Sequence, residues 1–353
     1  MARVVLDCER MKYVHTGLFH FCLNLGLSLK KLVKGHSKTG LSYFFPSKAP
    51  RYFGKDVKYI HQNSLRKFLM PPLGSHDIWH ATFQNSQYLP KRNKNIRVVL
   101  NIHDLNFMHE DVTTARREKY LRHLQNNIDR SDVIVCVSEF SKNDVRKYCN
   151  TRDKELKVVY NGTNNLETPM LLQKSYKPSR PFLFCIGVIN KKKNYHTLLP
   201  LLEKKDDLEL VIAGRVHDNE YHSFLQESAR KMKIGDRVRI VPDISEQEKS
   251  WYFNNCYAFV MPSIAEGFGL PVTEAMSVGK PTFLSGHTAL PEIGGDKAFY
   301  FHDFNADNMV DVLEKGMERY HSDGMQEKII EHSSAFNWNR TAETYLDIYR
   351  SLA

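Results

Sequence analysis

The chain has 353 residues, 42% apolar and 25% charged, which gives room for two globular domains and excludes a disordered chain or a disulfide miniprotein. No apolar run approaches the ~20 residues of a membrane span, no secretory h-region lies near the start, and the six scattered cysteines form neither a zinc pattern nor a disulfide framework. The net charge of +10 is uneven: residues 1–170 carry 28 Lys and Arg against 15 Asp and Glu, whereas residues 171–353 carry 22 against 25.

Apolar runs of strand length alternate with helical periodicity along the chain, the pattern of parallel α/β domains. In the first half the strand candidates are Val4–Leu6, Val57–Ile60, Ile78–His80, Val98–Ile102, Val133–Val137 and Lys157–Tyr160. Between the first two, Leu18, Phe21, Cys22, Leu25, Leu29, Leu32 and Val33 keep the i, i+3, i+4, i+7 spacing of a helix. Lys30, Lys31 and Lys34 fill its last turn and Gly35 ends it. From Asn161 to Ser179 a turn pair, Asn161-Gly162, and the prolines 169 and 178 interrupt periodicity, so the interdomain crossing is placed there. A second strand series follows: Phe182–Ile186, Leu208–Ala213, Val238–Val241, Tyr257–Met261 and Thr282–Leu284. The spacing predicts a last helix over Thr341–Leu352, with Ala342, Tyr345, Leu346, Tyr349 and Leu352 on one stripe. The domains are therefore expected at 1–165 and 166–340, with residues 341–353 packing back on the first.

Ligands of open parallel sheets bind outside the carboxyl ends of strands, so the residues after each second-half strand carry the functional signal. They are Gly187 before Lys191-Lys192-Lys193-Asn194, then Gly214-Arg215, then the stretch Pro262 to Pro271, then Ser285-Gly286-His287. Glycines let a ligand approach the backbone, and Lys or Arg supply charge for phosphates. Pro271 suits a first helical residue and Gly279 a stop, which leaves the amides of Gly267 to Leu270 at a helix N-terminus, an anion site suited to a diphosphate. Glu266 and Glu274 stand eight residues apart, about 12 Å along a helix and beyond the roughly 5–9.5 Å of a glycosidase pair. They suit two separate parts of one extended ligand.

In the first half His103 ends the strand Val98–Ile102 and precedes Asp104. Asp7-Cys8-Glu9, at the end of the first strand, reads as structural rather than metal-binding. Trp79, Phe83, Gln84, Asn85 and Tyr88 either line an acceptor pocket or pack as core and loop.

The run Glu266-Gly267-Phe268-Gly269-Leu270-Pro271-Val272-Thr273-Glu274-Ala275-Met276 resembles the Glu-x-seven-Glu motif of family 4 retaining glycosyltransferases of the GT-B fold. Gly187 to Asn194 is similar to their glycine-to-lysine phosphate loop, Ser285 to Glu292 to their Ser-x-x-x-x-Leu-Pro-Glu segment, His103-Asp104-Leu105 to their His-Asp-Leu element, and Thr16-Gly17 to their first glycine loop. The resemblance implies two Rossmann-like parallel-sheet domains facing a central cleft, the first binding the acceptor and the second the donor. It implies that Glu266 holds hydroxyls of the donor sugar, with His103 beside the sugar, and that Glu274 holds the ribose. Lys193 would neutralise the diphosphate, helped by Gly187, Lys192, Arg215 and the backbone of Gly267, Phe268, Gly269 and Leu270, while Gly17 and Asp104 would line the acceptor side. Two positions depart from the pattern: Val188 stands where relatives often place Arg, and Leu18-Phe19 follows Gly17 where Gly-x-Gly is common.

The expected activity is a metal-independent, retaining transfer of a hexose from a sugar nucleotide, GDP-mannose being slightly favoured by overall likeness to mannosyltransferases. The acceptor would be a glycan or lipid-diphosphate carrier of surface polysaccharide or lipopolysaccharide synthesis. A sugar-nucleotide epimerase of the same fold is the rival within the fold. The basic first half raises a nucleic-acid binder as the rival from another class, but no helix-turn-helix, RRM or zinc pattern accompanies it, so no nucleic-acid partner is expected. That half instead suggests a cytoplasmic enzyme docking on an anionic membrane. Lys30, Lys31, Lys34, Lys38, Arg51, Lys55, Lys58, Arg66 and Lys67 interleave there with Tyr43, Phe44, Phe45, Tyr52, Phe53 and Phe68.

Overall fold

The computed structural model describes residues 2–14, 16–34, 39–70, 73–90, 95–164, 166, 175–242 and 244–353. The expected helix stop at Gly35, Lys38 of the basic cluster and Pro169 of the crossing lie outside them. The chain forms two compact units, one of residues 1–162 and 336–353, the other of 163–335.

The first unit is built on a seven-stranded parallel sheet: β1 (Ala2–Asp7), β2 (Thr39–Pro46), β3 (Lys58–Gln62), β4 (Ile78–Ala81), β5 (Arg97–Ile102), β6 (Val133–Cys136) and β7 (Glu155–Val158), in the order β3-β2-β1-β4-β5-β6-β7. Consecutive residues of β1, β4 and β6 are buried, as a parallel sheet covered on both faces requires. The covering helices include α1 (Gly17–Lys34), α2 (Thr114–Arg130) and α3 (Glu139–Tyr148). α1 turns Phe19, Phe21, Cys22, Leu25 and Leu29 inward, and at Gly26 it comes so close that a Cβ would lie 2.5 Å from the Phe53 ring.

The second unit has a six-stranded parallel sheet: β8 (Phe182–Ile186), β9 (Glu209–Ala213), β10 (Val238–Val241), β11 (Ala258–Met261), β12 (Thr282–Ser285) and β13 (Phe299–Phe301), in the order β10-β9-β8-β11-β12-β13. Its helices are α4 (Leu198–Lys204), α5 (Asn219–Lys231), α6 (Glu246–Asn255), α7 (Leu270–Ser277), α8 (Leu290–Gly294), α9 (Ala306–Ser322) and α10 (Met325–Ser334). In both sheets the order reverses around the first strand, the doubly wound arrangement that puts loops of neighbouring strands on the same carboxyl edge.

The chain then returns to the first unit as α11 (Trp338–Leu352), capped by the Asn337 side chain. Tyr349 Oη lies 2.6 Å from His80 Nδ1, Asn101 Nδ2 lies 2.6 Å from Tyr345 Oη, and His80 Nε2 bonds Asn101 Oδ1. An amide oxygen only accepts, so the imidazole carries its proton on Nε2 and Nδ1 accepts from Tyr349. Burial holds the ring neutral, with its pKa down at about 4.

Three expectations are corrected. β2 was not among the strand candidates, yet it is an interior strand paired with both β1 and β3. Tyr43, Phe44, Phe45 and Phe53 are therefore core rather than membrane-facing: all four are buried, and the Tyr43 and Phe53 rings stack at 4.0 Å. Trp79 and Tyr88 are also buried core, against Phe44, which removes them from an acceptor pocket. Of the aromatics interleaved with the lysines, only Phe68 stands well exposed.

Candidate functional site

β8 leaves its sheet at Gly187, whose φ of 151° lies in the range side chains avoid. Asn190 caps a 3-10 turn over Lys191–Lys193 by accepting the Lys193 N–H at 3.3 Å, and Asn194, at φ 58°, leads into a second turn over Tyr195–Thr197. This folds Lys193 back over Gly187: a Cβ there would lie 3.0 Å from Lys193 Cε and 3.2 Å from its Nζ. Such a Cβ would also stand 3.3 Å from Tyr195 Oη, a buried hydroxyl without a protein partner among the described residues. The end of β9 closes in from the other side. At Gly214 (φ 145°) a Cβ would come within 2.0 Å of Gly187 O, and Ile189 N–H donates to Arg215 O at 2.9 Å.

Lys193 Nζ sits 2.7 Å from Glu266 Oε1, and each side chain is only 12% exposed. Burial alone would raise the Glu266 carboxyl, but Lys193 and then Lys192 outweigh it and hold it below the usual carboxylate range. Glu266 is fixed through its backbone: its N–H donates to Thr288 Oγ1 at 2.9 Å, and its carbonyl accepts from Ala289 N–H at 3.3 Å. Ile264 N–H donates to Lys192 O at 3.0 Å, so the loops after β8, β11 and β12 are tied together. Gly267 and Phe268 then lead to Gly269, which caps α7 at φ 101° with Pro271 in the first turn. The Phe268 side chain is buried. Helix-start amides and the positive end of the dipole thus follow Glu266 within a few residues. Arg215 is exposed and Lys192 half-buried at the same edge of the sheet.

Glu274, one turn into α7, belongs to a second cluster. Its Oε1 accepts from Asn164 Nδ2 at 2.6 Å and from Lys249 Nζ at 3.0 Å. Burial would lower the Lys249 ammonium, but Glu274 and Glu246 reverse the shift and raise it.

In the first unit His103 donates from Nε2 to Thr82 O at 2.8 Å, which leaves Nδ1 as an acceptor. Its ring meets Phe21 edge-on at 4.6 Å, and burial lowers its pKa. Gln84 holds the segment from both sides, accepting His103 N–H and donating to Asp104 O. The Asp104 carboxylate is occupied in accepting Asn106 N–H at 3.0 Å. Gly17 opens α1 with free space where a Cβ would stand, so neither steric room nor its backbone angle calls for glycine there. Asp7 is buried, accepts from Ser86 Oγ and Glu9 N–H, and has its carboxyl pushed up to about 7 by burial and by Glu9. Among the described residues no group of three or more His, Cys, Asp or Glu is arranged to hold a metal.

Sequence reasoning missed Lys249, Asn164 and Tyr195, and it named Gln84 for the acceptor side or the loop, not for the hold it keeps on His103 and Asp104. Only Lys249 left a signal, a charge on the buried side of a helix between Glu246 and the core residues Tyr252 and Phe253.

A model of the family "Glycosyl transferases group 1" matches residues 171–334, and one of "Glycosyltransferase Family 4" matches residues 18–165, nearly the whole chain between them. The chain belongs to the family 4-type glycosyltransferases. This glycosyltransferase is 25% identical to O-antigen chain mannosyltransferase B of Escherichia coli, over 83% of this chain and 85% of the relative. It spans about a third (31%) of the serotype-specific mannosyltransferase WbdA of Escherichia coli, at 24% identity over 67% of its own length. It spans about half (55%) of O-antigen chain mannosyltransferase RfbU of Salmonella typhimurium. Sucrose-phosphate synthase from Thermosynechococcus elongatus shares the fold at a TM-score of 0.78 and 16% identity, over 100% of this chain and 99% of the other. So does Anabaena HepE, solved with UDP-glucose, at a TM-score of 0.72 and 14% identity over 98% of this chain and 100% of the other. The fold is GT-B, two Rossmann-like parallel-sheet domains.

Proposed function

We propose that the chain is a retaining hexosyltransferase that takes its sugar from a nucleotide, GDP-mannose by preference, and passes it to a lipid-linked or glycan acceptor in surface polysaccharide synthesis. The observation that carries this reading is the Lys193–Glu266 pair lying over Gly187 where three strand-end loops are tied together. Breaking a sugar–diphosphate bond builds negative charge on the leaving group. Lys193, Lys192, Arg215 and the amides at the start of α7 supply positive charge without a metal. As a diphosphate draws on Lys193, Glu266 is freed from that pair to accept hydrogen bonds from sugar hydroxyls. Glu274 receives the ribose, and His103 Nδ1 accepts from a substrate hydroxyl. Retention follows from the family resemblance, and the mannosyl preference from the O-antigen relatives.

Thermal shift against GDP-mannose, UDP-glucose and a dTDP-sugar tests the reading. A ligand at 100 times its Kd adds about 2.7 kcal/mol to the folded state. No stabilisation by any of the three would sink it.

The acceptor reading places the enzyme on the inner face of an anionic membrane. What supports it is a 3-10 turn over Ser64–Lys67 and the two residues after it: Leu65, Phe68 and Leu69 are 75%, 78% and 75% exposed beside Arg66 and Lys67. No acidic residue occurs from 57 to 76. Each cation near an anionic leaflet contributes about 1 kcal/mol, and the apolar side chains add insertion. Flotation with phosphatidylglycerol vesicles at low salt should carry the protein up, and Phe68→Ser should weaken this. Equal flotation with neutral vesicles, or none at all, removes the membrane from the account. No helix among the described residues is long and apolar enough to cross a membrane.

A further inference from the structure

The chemistry proposed above makes no use of Lys249. It lies on α6 beside the buried Ser250, Tyr252 and Phe253, with its own side chain 7% exposed. Its Nζ is held between two carboxylates, Glu246 Oε2 at 2.6 Å and Glu274 Oε1 at 3.0 Å. The Glu246 side chain is 52% exposed and that of Glu274 4%. Glu246 alone would neutralise the ammonium, and from the surface it would do so at little desolvation cost. The inner bond therefore has another effect. Together with the 2.6 Å bond from Asn164 Nδ2 it fixes one oxygen of Glu274 from two directions, which stops rotation of the carboxylate. The two hydroxyls of a vicinal diol can donate two hydrogen bonds to a carboxylate held in this way.

We propose that Lys249, with Asn164, is a positioning residue for the nucleotide: it holds Glu274 in the one orientation that accepts from the 2′- and 3′-hydroxyls of a ribose. This rests on the assignment of Glu274 to the ribose, so the experiment separates the two. Calorimetry compares GDP and UDP with their 2′,3′-dideoxy counterparts on the full chain and on Glu274→Gln, Lys249→Met, Lys249→Arg and Asn164→Ala. The unaltered chain should prefer the ribose form by about tenfold or more, the worth of hydrogen bonds to a charged group. Glu274→Gln should abolish the preference. Lys249→Met should cut it to about threefold or less while leaving dideoxy affinity nearly unchanged, and Lys249→Arg should restore most of it. Asn164→Ala strands no buried charge, so it decides the matter even if Lys249→Met does not fold. It should reduce the preference in the same direction. Full preference in Lys249→Met and Asn164→Ala, or equal weakening of both nucleotide forms, overturns the positioning role with the ribose assignment intact. A preference that survives Glu274→Gln, or no binding of either diphosphate by the unaltered chain, overturns the ribose assignment and this proposal with it.

Discussion

Both units bury polar clusters deeply, but the one under α11 in the first joins neutral groups where the two around Glu266 and Glu274 in the second join charged ones. His80, Asn101, Tyr345 and Tyr349 satisfy one another with no net charge, and the link they make fastens α11 to β4 and β5. In the second unit Lys193–Glu266 and Lys249–Glu274 put full charges below the surface. Taking an ion out of water costs several kcal/mol even after relaxation, and a buried pair seldom recovers more than that cost. A chain able to fasten a helix without charge has no structural need for two such pairs. The first pair stands at strand-end loops beside Gly187 and the second includes Glu274, one turn into the helix that follows Glu266, a place where charge serves recognition.

The contrast breaks most visibly at Glu266. Glu266→Ala should lower transfer about a hundredfold or more, the scale seen when a group stabilising the transition state is removed, with the affinity for free nucleoside diphosphate nearly unchanged. Lys193→Ala should instead weaken that affinity about tenfold or more. Steady-state kinetics and calorimetry read the two separately, and matching losses in both would erase the distinction between sugar and phosphate contacts.

Asp7 sharpens the contrast, because here the first unit neutralises a carboxyl instead of pairing it. Its folded pKa of about 7 stands above the ordinary 3.8, so the folded state keeps a proton that the unfolded chain gives up. The stability it contributes is full below pH 3.8 and lost as pH rises through 7. Asp7→Asn should therefore exceed the unaltered chain in denaturant stability at pH 8 by an amount on the order of a few kcal/mol, with the gap closing below pH 4. A gap that stays constant with pH would show that Asp7 is ionised in the fold.

At the α11 fastening, Tyr349→Phe leaves the buried His80 Nδ1 without its donor and should cost about 1–3 kcal/mol, read as a lower Tm. His80 titrates with the sign opposite to Asp7. Its pKa falls from 6.5 to about 4 on folding, so the stability it contributes is full above 6.5 and lost as pH drops through 4. His80→Asn should flatten that acid limb. The smallest expected effect is none: transfer should survive excess EDTA, since Lys193, Lys192 and Arg215 supply the charge a metal would bring. Loss of activity restored by Mg²⁺ or Mn²⁺ would turn attention to Asp7 and Glu9.

Much of this was legible in the sequence. The runs Phe182–Ile186 and Val238–Val241 are strands with those same bounds, because buried parallel strands are continuous apolar stretches between breakers. The Glu266–Glu274 stretch could be read because glycine and proline fix the local backbone whatever surrounds them. β2 escaped because its aromatic core lies next to lysines, and composition alone cannot tell a buried Tyr-Phe-Phe from an exposed one. Lys249 and Asn164 escaped for a different reason. They lie 25 and 110 residues from Glu274, and only the packing of α6 and of the segment entering the second unit on α7 brings them to it.

The return of α11 to the first unit has a bearing on synthesis. Residues 163–335 separate the sheet of that unit from the helix that completes it. At about 5–20 residues per second, the ribosome takes roughly ten to thirty seconds to make that interval. Throughout it His80 and Asn101 have no Tyr349 or Tyr345 to bond, and the apolar seat of the helix stays open. The second unit, continuous in sequence, can fold first although it is made later. A nascent chain halted near residue 335 would then present one finished domain and one unfinished one, the latter a natural client for a chaperone.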